Sequence, residues 1–160
     1  MLIHIRRAVT PDIPWLVEKM QEFYKESAYP LDCEWAARSF TTLLSQPELG
    51  GVMIAANDRE AIGYVVFTQR FSMEFGGLDG FIDDLFVASS HRRAGAGTAL
   101  LKAVLAECKA RHLLALHVEV DPNNQAANAL YRRFGLHDNG RRLLTVSLGS
   151  DATPPARREL

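Results

Sequence analysis

Cysteine is scarce in this chain: Cys33 and Cys108 are the whole complement, and no C-x-x-C spacing joins them. That excludes a disulfide framework and fits a reduced cytoplasm, with each thiol expected as a small buried apolar group. Histidine and cysteine nowhere take metal-ligand spacing, so no metal is expected. Long apolar runs are missing too. None approaches the roughly 20 residues of a membrane span. Met1-Leu2-Ile3-His4-Ile5-Arg6 alternates instead of building a signal peptide's apolar centre. An excess of one charge is also lacking. A formal net charge of -1 supplies no general attraction to nucleic acid or to anionic membranes, and neither is expected as a partner.

What is present is the make-up of one ordinary folded domain. Of 160 residues, 48% are hydrophobic and 23% charged, enough for a full core. Leu2, Ile3 and Ile5 predict a first strand. Thr10-Pro11-Asp12 reads as a helix start, and Ile13, Leu16, Val17, Met20, Phe23 and Tyr24 recur at helical spacing behind it. Tyr29-Pro30 breaks that helix, and Asp32 caps a second that ends near Pro47. Val52–Ala56 and Ala61–Gln69 predict paired strands around the turn Asn57-Asp58-Arg59-Glu60. Gly76-Gly77 and Gly80 mark a loop before a strand over Phe81–Ala88.

Leu100, Leu101, Val104, Leu105 and Cys108 line one helix face, and Leu113–Val120 reads as a buried strand. Asn124 caps a last helix that Gly135 ends, and Leu143–Leu148 predicts a final strand. The order implies a mixed α/β sheet flanked by helices, not a uniform doubly wound one. Residues 1–148 are expected as a single domain. Residues 149–160, with Pro154-Pro155-Ala156-Arg157-Arg158, are expected as a mobile tail.

The chemistry concentrates at Arg92-Arg93-Ala94-Gly95-Ala96-Gly97-Thr98, between the apolar run Leu85-Phe86-Val87 and an amphipathic helix. A strand, a glycine-containing loop and a helix N-terminus present free N–H groups to an anion, and two arginines add forked donors. A pyrophosphate-bearing ligand is implied. A Walker loop would need Gly-Lys-Ser/Thr, and Gly97 is followed by Thr98-Ala99. A dinucleotide fingerprint would need a third glycine where Leu100 stands, although Glu119 sits about where a ribose-binding acid would. A third pattern, R/Q-x-x-G-x-G/A, is matched by Arg92, Gly95 and Gly97.

Downstream, Asn124, Ala127, Leu130, Tyr131 and Gly135 fit a second pattern, N-x-x-A-x-x-L-Y-x-x-x-G-F, with Leu136 in place of the phenylalanine. One helix and one strand separate the two patterns. Together they resemble the GNAT superfamily of acyl-CoA N-acetyltransferases over about Leu2–Leu148. Ser89 and Arg93 depart from the commoner proline and glycine, without removing a backbone donor.

The resemblance implies a mostly antiparallel sheet whose central strand pair splays apart, acetyl-CoA as cofactor, and direct transfer to an amine. It implies that the backbone of Leu85, Phe86 and Val87 meets the pantetheine arm, that Arg92, Arg93, Ala94, Gly95, Ala96, Gly97 and Thr98 hold the pyrophosphate, and that Asn124 meets the pantetheine. Tyr131 becomes the candidate acid near the thioester sulfur, although Ala127, Leu130, Tyr131 and Phe134 also form an ordinary packing stripe. Members are often homodimers.

An alkylamine, with a pKa of about 10.4, arrives protonated at neutral pH, so a base is required. Adjacent Asp83 and Asp84 are the candidates. Strand alternation would turn them to opposite faces, and resemblance to the polyamine-acetylating and histone-acetylase-like branches singles out Asp83. Glu22, Glu26, Asp32 and Glu34 lie near Phe23, Tyr24, Tyr29 and Trp35 across the break between the first two helices. Acids beside aromatic rings suit a small cationic amine, with Glu26, Tyr29, Asp83 and Asp84 as acceptor-binding candidates. A lysine or N-terminal amine of a protein is the alternative acceptor. A non-catalytic acyl-CoA-binding module is the alternative of another class, and a Rossmann-type NAD binder is a third. His91, His112, His117 and His137 are scattered and read as solvated or structural.

Overall fold

The computed structural model describes residues 2–148; the tail expected at 149–160 lies outside the described residues. Nine elements follow in order: β1 (His4–Arg7), α1 (Ile13–Glu26), α2 (Cys33–Ser45), β2 (Gly50–Ala56), β3 (Ala61–Ser72), β4 (Gly77–Val87), α3 (Ala96–Ala110), β5 (Leu116–Val118) and α4 (Gln125–Arg133). The sheet runs β1-β2-β3-β4-β5, antiparallel up to β4 and parallel between β4 and β5. This is the mixed α/β fold that the sequence implies.

Local chemistry explains most element ends. Asp12 accepts from the Val9 amide at 2.8 Å and from Arg6 at 2.6 and 2.7 Å, fixing the turn into α1. Asp32 caps α2 by accepting from the amides of Glu34 and Trp35. Asn124 caps α4 through the Ala127 amide, and Gly135 follows it with φ 85°. The β2–β3 turn is closed by Asn57, whose side chain accepts from the amides of Arg59 and Glu60.

Two apolar layers cover the sheet. On one face α3 and α4 pack Leu100, Leu101, Val104 and Tyr131 against Val65, Phe67 and Ile82. On the other, α1 and α2 pack Leu16, Met20, Ala36 and Phe40 against Ile54, Tyr64, Val66 and Phe86.

Several expectations need correction. Gly77 and Gly80 lie inside β4, not in a loop. A Cβ on Gly80 would stand 2.8 Å from a Leu113 methyl, so this glycine admits a neighbouring side chain instead of making a turn. The strand expected over Leu113–Val120 is only three residues long. The final strand expected over Leu143–Leu148 does not form within this chain. Cys33 is exposed at the start of α2, whereas Cys108 is buried as expected.

Two features of β4 position the site. First, β4 pairs with β5 only over Gly80, Phe81 and Ile82, leaving Asp83 through Val87 without a neighbouring strand on that side among the described residues. The strands therefore fork. Second, the register with β3 slips: Val66 faces Asp84 while Phe67 faces Ile82, so Asp83 is an extra residue in a bulge. Behind the fork, Gly63 lies so close that a Cβ would stand 2.6 Å from the Phe86 carbonyl oxygen. Gly63→Ala should therefore push β4 outward and cost about 1–3 kcal/mol of stability in urea denaturation, the usual penalty of overpacking.

Candidate active site

The bulge decides where the two acids go. A regular strand would turn Asp83 and Asp84 to opposite faces. Here Asp84 accepts from the Tyr64 hydroxyl at 3.3 Å, and Asp83 accepts from the Thr68 hydroxyl. Tyr64 and Thr68 are four residues apart along β3 and share one face, so both carboxylates reach that face as well. The expected opposition is thus undone by one extra residue.

Their environments differ. Asp84 is buried, and burial above all, with repulsion from Asp83, lifts its carboxyl to a pKa of about 7. The Tyr64 hydrogen bond offsets only part of that. Asp83 keeps contact with solvent, yet the surrounding protein and the nearby Glu119 charge raise its carboxyl too, against the Thr68 hydrogen bond. Tyr131 belongs to the packed core, as its stripe position implies. Burial, reinforced by the Asp84 charge, raises its hydroxyl to about 12, so it keeps its proton at neutral pH. The fork therefore brings Asp83, Asp84, Glu119 and Tyr131 into one electrostatic neighbourhood. Tyr64, Thr68 and Glu119 were not singled out for this role by sequence. Tyr64 and Thr68 stand in an unremarkable strand, and only the register connects them to the acids.

An aromatic wall leads to Asp84 from the helix break. Tyr29 meets Tyr24 edge-on, Tyr24 meets Phe23, Phe23 leans on Phe86, and Phe86 leans on Tyr64. Trp15 closes the series, with its ring 6.5 Å from that of Tyr64 at 83°. The acids expected near this wall are occupied elsewhere. Glu22 pairs with Lys19, Asp32 caps α2, Glu34 lies 3.9 Å from Arg38, and Glu26 takes both oxygens to Arg92 at 2.6 and 2.8 Å. The charge at the helix break is thus already paired or capping, whereas Asp83 and Asp84 at the fork are met by hydroxyls and have no cation partner beside them among the described residues.

The loop after β4 fits a pyrophosphate. Arg93 takes φ 60° and Gly95 φ 94°, left-handed turns that fold successive amides into one concavity. The first bond into α3 runs from the Ala99 amide to the Gly95 carbonyl, and the amides of residues 93–98 have no backbone acceptor among the described residues. Arg92 is not aimed there. Its Nε donates to the Val87 carbonyl at 2.8 Å and its head group pairs with Glu26, so it ties the loop to α1.

Arg133 donates to the Thr98 hydroxyl at 2.7 Å, adding a cation at the α3 N-terminus. Sequence reading missed it because it lies one helix away from the loop. A Cβ on Gly97 would point at Leu130 and Leu85, so this glycine serves the packing of α3 on α4. The side-chain oxygen of Asn124 is engaged in capping α4, where it accepts from the Ala127 amide.

The model of the acetyltransferase (GNAT) family matches residues 13–136. The uncharacterized N-acetyltransferase YhfO of Bacillus subtilis (strain 168) is 27% identical over 140 residues, covering 86% of this chain and 91% of its own. The integron cassette protein HFX_CASS3, from the mobile metagenome of Cole Harbour Salt Marsh, superposes with a TM-score of 0.84 at 40% identity, over 94% of this chain and 92% of that one. A predicted acetyltransferase from Clostridium acetobutylicum, solved with acetyl-CoA, shares the fold with a TM-score of 0.77 at 20% identity, over 91% and 96% of the two chains.

The raised Asp84 carboxyl has a consequence for stability. Its folded pKa lies above its unfolded one, so its favourable contribution is complete below about pH 4 and is lost as pH rises through about 7. Asp84→Asn, which still accepts from Tyr64, should match the wild type at low pH. Above pH 7 it should exceed the wild type by on the order of a few kcal/mol in chemical denaturation.

Proposed function

The chain belongs to the acetyltransferase (GNAT) family and is an acetyl-CoA-dependent acyltransferase, and from that premise we propose that it acetylates a primary amine of a small cationic molecule. The setting of this reading is the cytoplasm, and its unit a single domain over residues 1–148. One observation supports the acceptor above others: Asp83 and Asp84 share a face beside the fork, with the Glu119 charge close by. A protonated amine is drawn to such a group by Coulomb attraction in a partly desolvated site. The wall that ends at Tyr29 offers ring faces to the same cation.

Acetyl-CoA supplies the acetyl group as a thioester. The residues that would hold its pyrophosphate are Arg93, Ala94, Gly95, Ala96, Gly97 and Thr98 through their amides, with Arg133 beside them. Arg92 braces that loop from behind. The unpaired edge of β4 at Leu85, Phe86 and Val87 offers backbone groups to the pantetheine, and Asn124 offers its amide.

Asp84 acts as the base. A carboxyl poised near pH 7 is ionised often enough to accept a proton and basic enough to take it from an ammonium. The freed amine nitrogen forms its bond to the acetyl carbon as the carbon–sulfur bond breaks. Tyr131 would give its hydroxyl proton to the departing sulfur and be reprotonated by the second proton that the nitrogen sheds on becoming an amide, while the proton held by Asp84 returns to solvent. Asp83, more exposed, positions the cation and shares the charge.

Four outcomes test this. Across polyamines, amino acids, aminoglycosides and peptides, acetyl-CoA-dependent thiol release should be fastest with small polycationic amines; a preference for peptides would move the acceptor to proteins. Asp84→Asn should abolish the rise of kcat/KM through pH 7, whereas Asp83→Asn should chiefly raise KM for the amine; the reverse pattern returns the base to Asp83. Tyr131→Phe should lower kcat by about 10- to 1,000-fold, and Gly95→Val, strained at φ 94°, should weaken acetyl-CoA in calorimetry at least roughly tenfold.

A further inference from the structure

One carboxylate outside the site described above is buried more deeply than either acid within it. Asp79 is 0% exposed, against 8% for Asp84. It stands on β4 one residue before the ladder to β5 begins, opposite Arg70 of β3. Arg70 gives it a forked pair, Nε to Oδ1 at 3.0 Å and Nη2 to Oδ2 at 3.3 Å. From the other side His117 of β5 brings its Nε2 to Oδ2 at 3.0 Å. Burial pushes the Asp79 carboxyl up, but the hydrogen bonds from Arg70 and His117 outweigh it and leave it below the ordinary range. Asp79 is therefore an ionised acceptor at neutral pH, and His117 is the donor, with a proton on Nε2.

The rings complete the cross-link. The Arg70 guanidinium lies over Phe81, 5.0 Å from its centroid, and the His117 ring stands beside Phe81 at 4.8 Å and 34°. An ion network and a ring stack thus fasten β3, β4 and β5 together across one face. They do so at the shortest pairing of the sheet. β4 and β5 meet over Gly80, Phe81 and Ile82 alone, and a parallel ladder of three residues has little hold of its own. Immediately past Ile82 the strands part, at Asp83 and Asp84. Apolar contacts at this place would give cohesion and let the strands slide. Charge-assisted hydrogen bonds have direction, so they also fix the alignment of one strand on the next.

We propose that Asp79 and His117 are positioning residues: they fix the depth of the fork, and with it the place where the acyl end of the donor stops. This rests on acetyl-CoA lying along β4 as proposed above. The phosphate loop follows the C-terminal end of β4, so an arm held there runs back along Val87, Phe86 and Leu85. It stops where β5 closes the edge, next to Asp83 and Asp84. One more open rung would let the acyl end slide past Asp84 by roughly 3.3 Å, the rise of one strand residue. A misplacement of about 1 Å already costs on the order of 100-fold in rate. Asp79 and His117 act through the alignment of the strands, not by touching the acyl group.

His117 is half-buried, so it can be replaced without emptying the core. His117→Leu keeps bulk and removes the donor, whereas His117→Gln keeps an N–H for Asp79. Both should retain the circular dichroism of the fold. In His117→Leu the β5 amides should exchange faster by roughly tenfold or more, the loss of one charge-assisted hydrogen bond. Its kcat should fall by roughly 10- to 100-fold. Its affinity for acetyl-CoA in calorimetry should stay within about threefold, because the phosphate loop is untouched. His117→Gln should recover both the slow exchange and the rate. Arg70→Gln, at an exposed position, loosens the same carboxylate from β3 and should move exchange and kcat in the same direction as His117→Leu. A role in stability alone would lower the denaturation midpoint of His117→Leu and leave the kcat of the folded protein unmoved, which overturns the proposal. A glutamine variant as slow as the leucine one overturns it too. Failure of the underlying reading looks different: the wild type itself would release no thiol from acetyl-CoA, and that overturns both.

Discussion

One extra residue in β4 organises the centre of this molecule. Because Asp83 bulges from the ladder, Asp84 turns inward beside Tyr64 and the β3–β4 pairing changes face at that point. Ile82 belongs to the core under α3, while Phe86 belongs to the core under α1 and α2. A strand without the bulge would give Asp84 to the α3 side, away from Tyr64 and the aromatic wall. The cost is a buried carboxyl that resists ionisation. Native folds keep such groups where a reaction needs a proton acceptor near neutrality.

The fork and the loop are two consequences of how β4 ends. Its pairing with β5 stops at Ile82, so among the described residues the next five have no strand on that side. The chain then turns through left-handed Arg93 and Gly95 into α3, whose first amides are likewise free. On the reading proposed above, a long ligand with a polar arm and a pyrophosphate would find donors and acceptors along this path. The Arg92 bridge to Val87 and Glu26 holds the turn in place from outside.

Much of this was legible because helix starts and stops are local. Asp32, Asn124 and Gly135 announce their roles to neighbours two or three residues away. The two motifs around Gly95 and Tyr131 were legible for the same reason. What escaped is long-range. Nothing within Phe81–Val87 tells a bulge from a regular strand; the register with β3 decides it. Nothing near Glu26 announces its ion pair with Arg92, 66 residues away. Gly80 looked like a turn because the Leu113 side chain that needs its space is distant in sequence.

The edge-on contact between Trp15 and Tyr64 gives the site an optical side. The Tyr64 hydroxyl is hydrogen-bonded to the carboxyl that changes charge near neutrality, and the indole lies one ring farther out. A charge appearing on Asp84 alters the electric field across Trp15, and an indole's excited state, being far more dipolar than its ground state, shifts its emission with that field. Titration of Asp84 should therefore shift the emission of Trp15 over the constant background of Trp35, with no label and no substrate present.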